Sequence, residues 1–79
     1  MIKVKIFNMK EFLKTVNECA GAVNLLHAGG RRENINKQYE IQKELIRRYE
    51  GNKRYLNLSL DIPAAEDYMK IVLYVVGDC

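Results

Sequence analysis

The chain begins with alternating apolar and polar residues from Ile2 to Ile6, the period-two pattern of a half-buried β-strand. A helix is predicted directly after it, because Asn8 is a good N-cap residue and Glu11 follows three positions later, as in a capping box. Gly21 is the residue type expected just after a helix C-terminus. The apolar positions in this segment follow the spacing of one helix face and are Met9, Phe12, Leu13, Val16, Cys19 and Ala20.

The middle of the chain predicts a hairpin and a second helix. Residues 22–27 have the composition of a strand, residues 28–30 include two turn glycines, and a short return strand is expected over residues 32–36. From Gln38 the apolar period becomes helical, and Gly51-Asn52 is expected to end this helix. Its predicted apolar face consists of Tyr39, Ile41, Gln42, Leu45, Ile46 and Tyr49.

The last part of the chain predicts one more strand and one more helix. Residues 55–62 alternate in polarity, and Pro63 suits the first turn of the helix that follows. Residues 71–76 are rich in β-forming side chains, so a strand is the alternative there. The absence of a turn residue after Met69 favours a continuous helix. Its apolar face would comprise Ala64, Ala65, Tyr68, Ile71, Val72, Val75 and Val76.

These elements have the order β-α-β-β-α-β-α and predict a single α+β domain over residues 1–79. The right-handed crossover rule places the helices on the same side of one sheet. We therefore expect an open-faced sandwich, in which three helices cover one side of a four-stranded, mostly antiparallel sheet. A chain of 79 residues buries too little apolar surface for two separate cores.

Composition and charge are those of an ordinary globular protein. Hydrophobic residues make up 48% and charged residues 29% of the chain, which argues against disorder. The sequence has neither a signal-peptide pattern nor an apolar run of membrane-span length, so a cytoplasmic protein without membrane contact is predicted. Thirteen Lys and Arg against ten Asp and Glu give a net charge of +3, which permits an acidic protein or a nucleic acid as partner.

Few residues offer catalytic or metal-binding chemistry. His27 is the only histidine, and with Cys19 and Cys79 it makes at most three scattered ligands, so neither a metal site nor a cofactor is predicted. Cys19 is expected to pack in the core and Cys79 to be exposed. His27 is expected to be a partly buried residue at a strand end. Gly29-Gly30 is expected to form a turn, because a phosphate-binding loop would lead directly into a helix.

The element order and the stretch AVNLLHAGGR at residues 22–31 resemble the HPr family, the phosphocarriers of the sugar phosphotransferase system. The resemblance implies a four-stranded sheet covered on one side by three helices. The family accepts a phosphoryl group on a histidine in a Gly-x-His-Ala-Arg-Pro-type loop at the start of the first helix, and carries a regulatory serine at the start of the second. This chain has FNMK at residues 7–10 and NKQY at residues 36–39 in those places, so phosphotransfer is not expected.

A fainter resemblance is to short uncharacterised bacterial chains that carry a poly(A) polymerase label. Such polymerases use a Gly-Ser loop and spaced aspartates that hold two metal ions. This chain has Asp61, Asp67 and Asp78 but no Gly-Ser pair, so polymerase activity is not expected.

The sequence therefore predicts a non-catalytic interaction or regulatory domain on an HPr-like scaffold, whose partner is another protein. A small nucleic-acid-associated accessory protein is the alternative, and a residual phosphocarrier that uses His27 is a third hypothesis. Glu40, Glu44 and Glu50 lie at helical spacings among basic residues, so a solvated, ion-paired surface is the competing interpretation. The candidate partner-binding residues are Arg31, Arg32, Lys43, Arg47, Arg48, Lys53 and Arg54.

Two further surfaces follow from the predicted fold. Lys3, Lys5 and Tyr55 are expected on the side of the sheet that faces water, but RNA-binding sheets stack bases on two or three aromatic rings. A single tyrosine therefore argues against RNA recognition there. Leu73 and Tyr74 fall outside the apolar face of the last helix, and their expected exposure makes this region a candidate homodimer contact.

Overall fold

The computed structural model describes residues 2–78, with side chains described for residues 2–77. Cys79, which the sequence predicts to be exposed, lies outside the described residues. The elements in chain order are β1 (Ile2–Ile6), α1 (Met9–Glu18), β2 (Asn24–Leu26), β3 (Arg32–Asn34), α2 (Tyr39–Gly51), β4 (Leu56–Asp61) and α3 (Ala65–Asp78).

The four strands form one open sheet in the order β1-β4-β2-β3, and every neighbouring pair is antiparallel. β4 therefore lies between β1 and β2, so α1 connects two parallel strands that are separated by one antiparallel strand. In the register, Ile6 pairs with Leu56 on one side of β4, and Leu25 pairs with Leu60 on the other. The predicted α+β class, with a four-stranded antiparallel sheet and three helices, is confirmed.

The alternation in β1 and β4 gives the sheet one buried face and one face toward water. Val4 and Leu58 are buried against the helices, whereas Lys3 and Lys5 are exposed on the other side, which we call the open face. All three helices contribute side chains to a single apolar core. The largest fully buried side chains in it are Phe12, Ile6, Met9, Ile35, Leu45, Leu60 and Ile71.

The first helix ends earlier than its apolar pattern predicts, because a residue of α3 binds the backbone that follows it. Cys19 is the C-cap, with φ −71° and ψ 146°, so the C′ position falls on Ala20 and not on Gly21 as predicted. The carboxylate of Asp67 accepts hydrogen bonds from the backbone N–H groups of Ala20 (3.1 Å) and Gly21 (2.8 Å). These bonds satisfy donors that a longer helix would have used internally.

The hairpin strands β2 and β3 are also shorter than predicted, with three residues each. The side-chain oxygen of Asn34 accepts hydrogen bonds from the backbone N–H groups of Val23 (3.1 Å) and Asn36 (3.0 Å). The Asn34 side chain therefore supplies the hydrogen-bond acceptor that a backbone carbonyl of a neighbouring strand would otherwise supply. Asparagine competes with strand pairing in this way because its short side chain reaches nearby backbone groups.

The continuous helix predicted over the last segment is confirmed by α3. It begins two residues after Pro63, which therefore precedes the helix instead of forming its first turn. Ala64, Ala65 and Val76 were predicted on the apolar face but are exposed. Only the middle of α3, around the fully buried Ile71, packs deeply in the core.

Candidate functional site

The two predicted arginines of the hairpin tip differ in their surroundings. Gly29 and Gly30 adopt positive φ angles of 88° and 87°, and the N–H of Gly30 donates to the carbonyl of His27, so the predicted turn is confirmed. Arg32 forms an ion pair of 3.0 Å with Asp61 across the sheet. Arg31 is exposed at the tip and forms no ion pair among the described residues.

The predicted basic residues of α2 and of the turn after it divide into a paired and an unpaired group. The amine of Lys43 lies 3.5 Å from a carboxylate oxygen of Glu40, and the guanidinium of Arg47 lies 2.8 Å from a carboxylate oxygen of Glu44. Both pairs have i,i+3 spacing. The ion-paired surface is therefore confirmed for these two side chains, and such exposed pairs contribute about 0.3–0.5 kcal/mol each. In the part of the chain that the structure describes, no ion pair involves Arg48, Lys53 or Arg54.

A turn with unusual backbone angles carries two of the unpaired cations. Lys53 and Arg54 have φ angles of 57° and 62°, the left-handed region that non-glycine residues rarely occupy. The turn is held by the N–H of Arg54, which donates to the carbonyl of Tyr49 (3.0 Å). The side-chain amide of Asn52 also donates to the carbonyl of Tyr55 (2.9 Å). The backbone of the exposed Lys53 and Arg54 is thus fixed next to the first residues of β4.

An aromatic–lysine cluster, formed by Lys5, Phe7 and Tyr55, lies beside this turn at the edge of the open face. The rings of Phe7 and Tyr55 have centroids 6.3 Å apart and are tilted by 34°. The Lys5 amine lies 5.9 Å from the Phe7 centroid and 5.7 Å from the Tyr55 centroid. Phe7 was not predicted as part of this surface, although it continues the odd-numbered alternation of Lys3 and Lys5 one position beyond the strand.

An apolar groove, the α1–α2 groove, runs between the first two helices with a volume of about 550 Å³. Its apolar lining is Met9, Leu13, Ile46 and Tyr49, and its polar lining is Lys10, Lys14, Asn17, Gln42 and Glu50. The side chain of Ile46, predicted on the buried face of α2, is 38% exposed here. The side chain of Gln42 is held in place in the groove wall, because its amide N–H₂ donates to the side-chain oxygen of Asn17 (2.7 Å) and to the backbone carbonyl of Ile35 (2.8 Å).

His27 is a partly buried residue just after β2, as predicted. Its Nε2 lies 2.9 Å from a carboxylate oxygen of Glu33, which occupies the neighbouring strand. Arg48 and Ser59 line a small cavity of about 140 Å³ beside it. The proximity of these two residues to His27 was not predictable from the sequence, because they come from α2 and β4.

The remaining chemical groups have structural roles. Cys19 is buried, and burial followed by the negative charge of Asp67 raises the pKa of its thiol. The pKa of Asp67 is lowered by the hydrogen bonds from Gly21 and Ala20, because these N–H donors favour the ionised carboxylate. Among the side chains of residues 2–77, no group of three or more His, Cys, Asp and Glu is placed to hold a metal ion.

The predicted self-association residues also differ from each other. Leu73 is 64% exposed, as expected. Tyr74 is only partly exposed, because its ring packs on Phe12 with centroids 5.9 Å apart and its hydroxyl donates to the carbonyl of Asn8 (2.8 Å). Its expected exposure was therefore wrong. The exposed Met69, Leu73 and Val76, which we call the α3 stripe, share one helix face by their i, i+4, i+7 spacing.

No helix in the described part of the chain has both the length and the apolar character needed to cross a membrane.

Comparison with known proteins found no match: no protein-family model, curated protein or solved structure is similar to this chain.

Proposed function

We propose that this chain is a non-catalytic interaction domain on an HPr-like scaffold, and that its partner is another protein bound in the α1–α2 groove. The observation that carries the proposal is the groove itself, which leaves apolar side chains of two helices in contact with water. The one-sided arrangement of three helices on a four-stranded antiparallel sheet supports the HPr-like scaffold.

The charges around the groove indicate the chemistry of the partner. Lys10 and Lys14 line its α1 side. On α2, Lys43 and Arg47 each directly follow a groove-lining residue, but both are paired with glutamates, and Glu50 lines the groove. The positive charge offered to a partner therefore comes mainly from Lys10 and Lys14. A segment with an apolar face and acidic flanks, such as an amphipathic helix, would complement this surface.

The arrangement around His27 does not favour the phosphocarrier hypothesis. A phosphoryl group on the ring would lie near the Glu33 carboxylate, which already contacts Nε2, and the two negative charges would repel each other. The β1–α1 junction, where the HPr family carries its histidine, contributes the carbonyls of Phe7 and Asn8 as acceptors for Tyr49 and Tyr74.

The second candidate function is association with nucleic acid. It is favoured by Arg48, Lys53 and Arg54, which are exposed and form no ion pair with the side chains described for residues 2–77. The salt dependence of binding separates the two candidates. For a single strand, log K falls linearly with log salt, and each phosphate contact adds about 0.7 to the steepness of that slope. A mainly apolar protein interface lacks this steep dependence.

The test is a pull-down from the native cytosol with tagged protein, with and without nuclease. We expect a protein to be captured in both conditions, to be lost with Ile46→Glu, and to be weakened with the double variant Lys10→Glu/Lys14→Glu, which reverses the two lysine charges that line the groove. Ile46 is exposed enough for the charge to be tolerated in the free protein, which a thermal melt checks. Phe7→Ala is the matched control, since Phe7 does not line the groove. Capture that survives Ile46→Glu, or recovery of nucleic acid alone, contradicts the proposal.

A further inference from the structure

We propose that the open face of the sheet binds single-stranded nucleic acid. In this arrangement Phe7 and Tyr55 stack on bases, and Lys3 and Lys5 contact phosphates. The inference deepens the second candidate function and rests on it, but it is independent of the α1–α2 groove. Its structural basis is the aromatic–lysine cluster together with the charge of the open face.

The two rings lie side by side because of the strand register. Ile6 and Leu56 are paired at the ends of β1 and β4, so Phe7 and Tyr55 occupy the next opposed positions. The Phe7 side chain is 55% exposed and so is available to a ligand. Two neighbouring aromatic side chains on an open sheet are the arrangement that stacks unpaired bases.

The open face along β1 and β4, next to these rings, is positive. Lys3 and Lys5 point to the same side of β1, with backbone positions about 7 Å apart, and their partners on β4 are the neutral Ser59 and Asn57. These four residues line a shallow groove of about 360 Å³. The amide and hydroxyl groups on β4 add hydrogen-bonding groups for bases or sugars.

Acidic residues do not cancel this charge. Of the strand residues on the open face, Asp61 is the only carboxylate, and it already pairs with Arg32 at 3.0 Å. Lys53 and Arg54 precede Tyr55 directly and extend the positive surface past the rings. The face therefore combines a cationic track with stacking platforms, which is the combination used by proteins that bind single strands.

The aromatic rings distinguish this ligand from other polyanions. A duplex would contact the lysines but would leave the exposed Phe7 ring without a stacking partner, since duplex bases are already stacked on each other. The structure also explains why the sequence argued against this site. Tyr55 alone was expected there, and Phe7 joins it only through the pairing of β1 with β4.

The test is fluorescence anisotropy with a labelled oligouridine of about eight nucleotides, within the usual site size of a single-strand-binding domain. The titrations run between about 50 and 200 mM salt. We expect Phe7→Ala to weaken binding about tenfold at every salt concentration, as expected for one lost base stack. Lys5→Gln should lower the slope of log K against log salt by about 0.7. Tyr39→Ala and Lys10→Gln are matched controls, since both residues are exposed and lie outside the open face.

The outcomes separate this inference from the second candidate function. If Lys53→Gln and Arg54→Gln weaken binding while Phe7→Ala and Lys5→Gln do not, the protein binds nucleic acid elsewhere and the inference is overturned. Equal affinity for a duplex of the same length also overturns it. If the wild-type protein does not bind the oligonucleotide at low salt, both the inference and the second candidate fail. Circular dichroism of each variant confirms that the fold is retained.

Discussion

At the scale of single residues, Asp67 shows how one carboxylate connects parts of the chain that are far apart in sequence. Its two oxygens accept from the backbone of Ala20 and Gly21, and its side chain is almost fully buried. The glycine has a packing reason, since a Cβ at position 21 would lie 3.2 Å from a carboxylate oxygen of Asp67. The residue therefore joins the start of α3 to the end of α1.

This contact predicts a pH dependence of stability. The pKa of Asp67 is lower in the folded protein than its ordinary value because N–H donors stabilise the ionised form. Its contribution is therefore present above the unfolded pKa of about 3.9 and is lost as the pH falls through the lower folded pKa. We expect Asp67→Asn to lower Tm near neutral pH, and the difference from wild type to shrink in acid.

Thermal melts at a series of pH values measure this effect. The neighbouring Glu66 is exposed in the same helix turn, so Glu66→Gln is the matched control. It removes a charge near the helix N-terminus but no buried hydrogen bond, and should change Tm much less than Asp67→Asn. A Tm difference between Asp67→Asn and wild type that stays constant down to the lowest pH would show that the charge of Asp67 has no part in its role.

At the scale of elements, the turn between α2 and β4 predicts a conflict between stability and binding. Lys53 has a φ of 57°, and a left-handed backbone costs an L-residue about 1–2 kcal/mol that glycine avoids. We expect Lys53→Gly to raise the free energy of unfolding by about 1 kcal/mol, after the entropy cost of glycine in the unfolded chain. Urea denaturation measures the change.

Lys53→Ala is the control, because it removes the same charge but retains the backbone strain. Both variants should weaken oligonucleotide binding by the same factor, while only the glycine variant gains stability. If the alanine variant gains as much stability as the glycine variant, the side chain and not the backbone angle is the source of the strain.

The elements themselves were largely predictable, because their patterns are local. The N-cap at Asn8 is present, with the Glu11 N–H donating to the Asn8 side chain at 3.2 Å. The alternation of β1 and β4 places the buried residues as expected. What the sequence did not show depends on contacts between distant residues. Examples are Asp67 at the end of α1, Asn34 beside the hairpin, and Phe7 next to Tyr55.

At the scale of the whole molecule, the candidate surfaces face different directions. The α1–α2 groove lies in the helical layer, and the aromatic–lysine cluster belongs to the open face on the other side of the sheet. The α3 stripe belongs to the third helix, which packs against α1 and β1. A protein partner and a nucleic-acid strand would therefore not compete for the same residues, and self-association through α3 would leave both surfaces accessible.

Self-association is predicted to be weak. The side chains of the α3 stripe are 50%, 64% and 74% exposed, for Met69, Leu73 and Val76 respectively, so two copies would each bury an apolar face. Three side chains on each copy cover far less than the roughly 1,000 Å² of a stable interface, so dimers should form only at high protein concentration.

Sedimentation over a concentration series should show a rising mean mass that Leu73→Lys abolishes. Tyr39→Lys, at a similarly exposed position on α2, should leave the mass unchanged. A wild-type protein that stays monomeric at the highest concentration would mean that the stripe is simply exposed apolar surface, or that it serves a different partner.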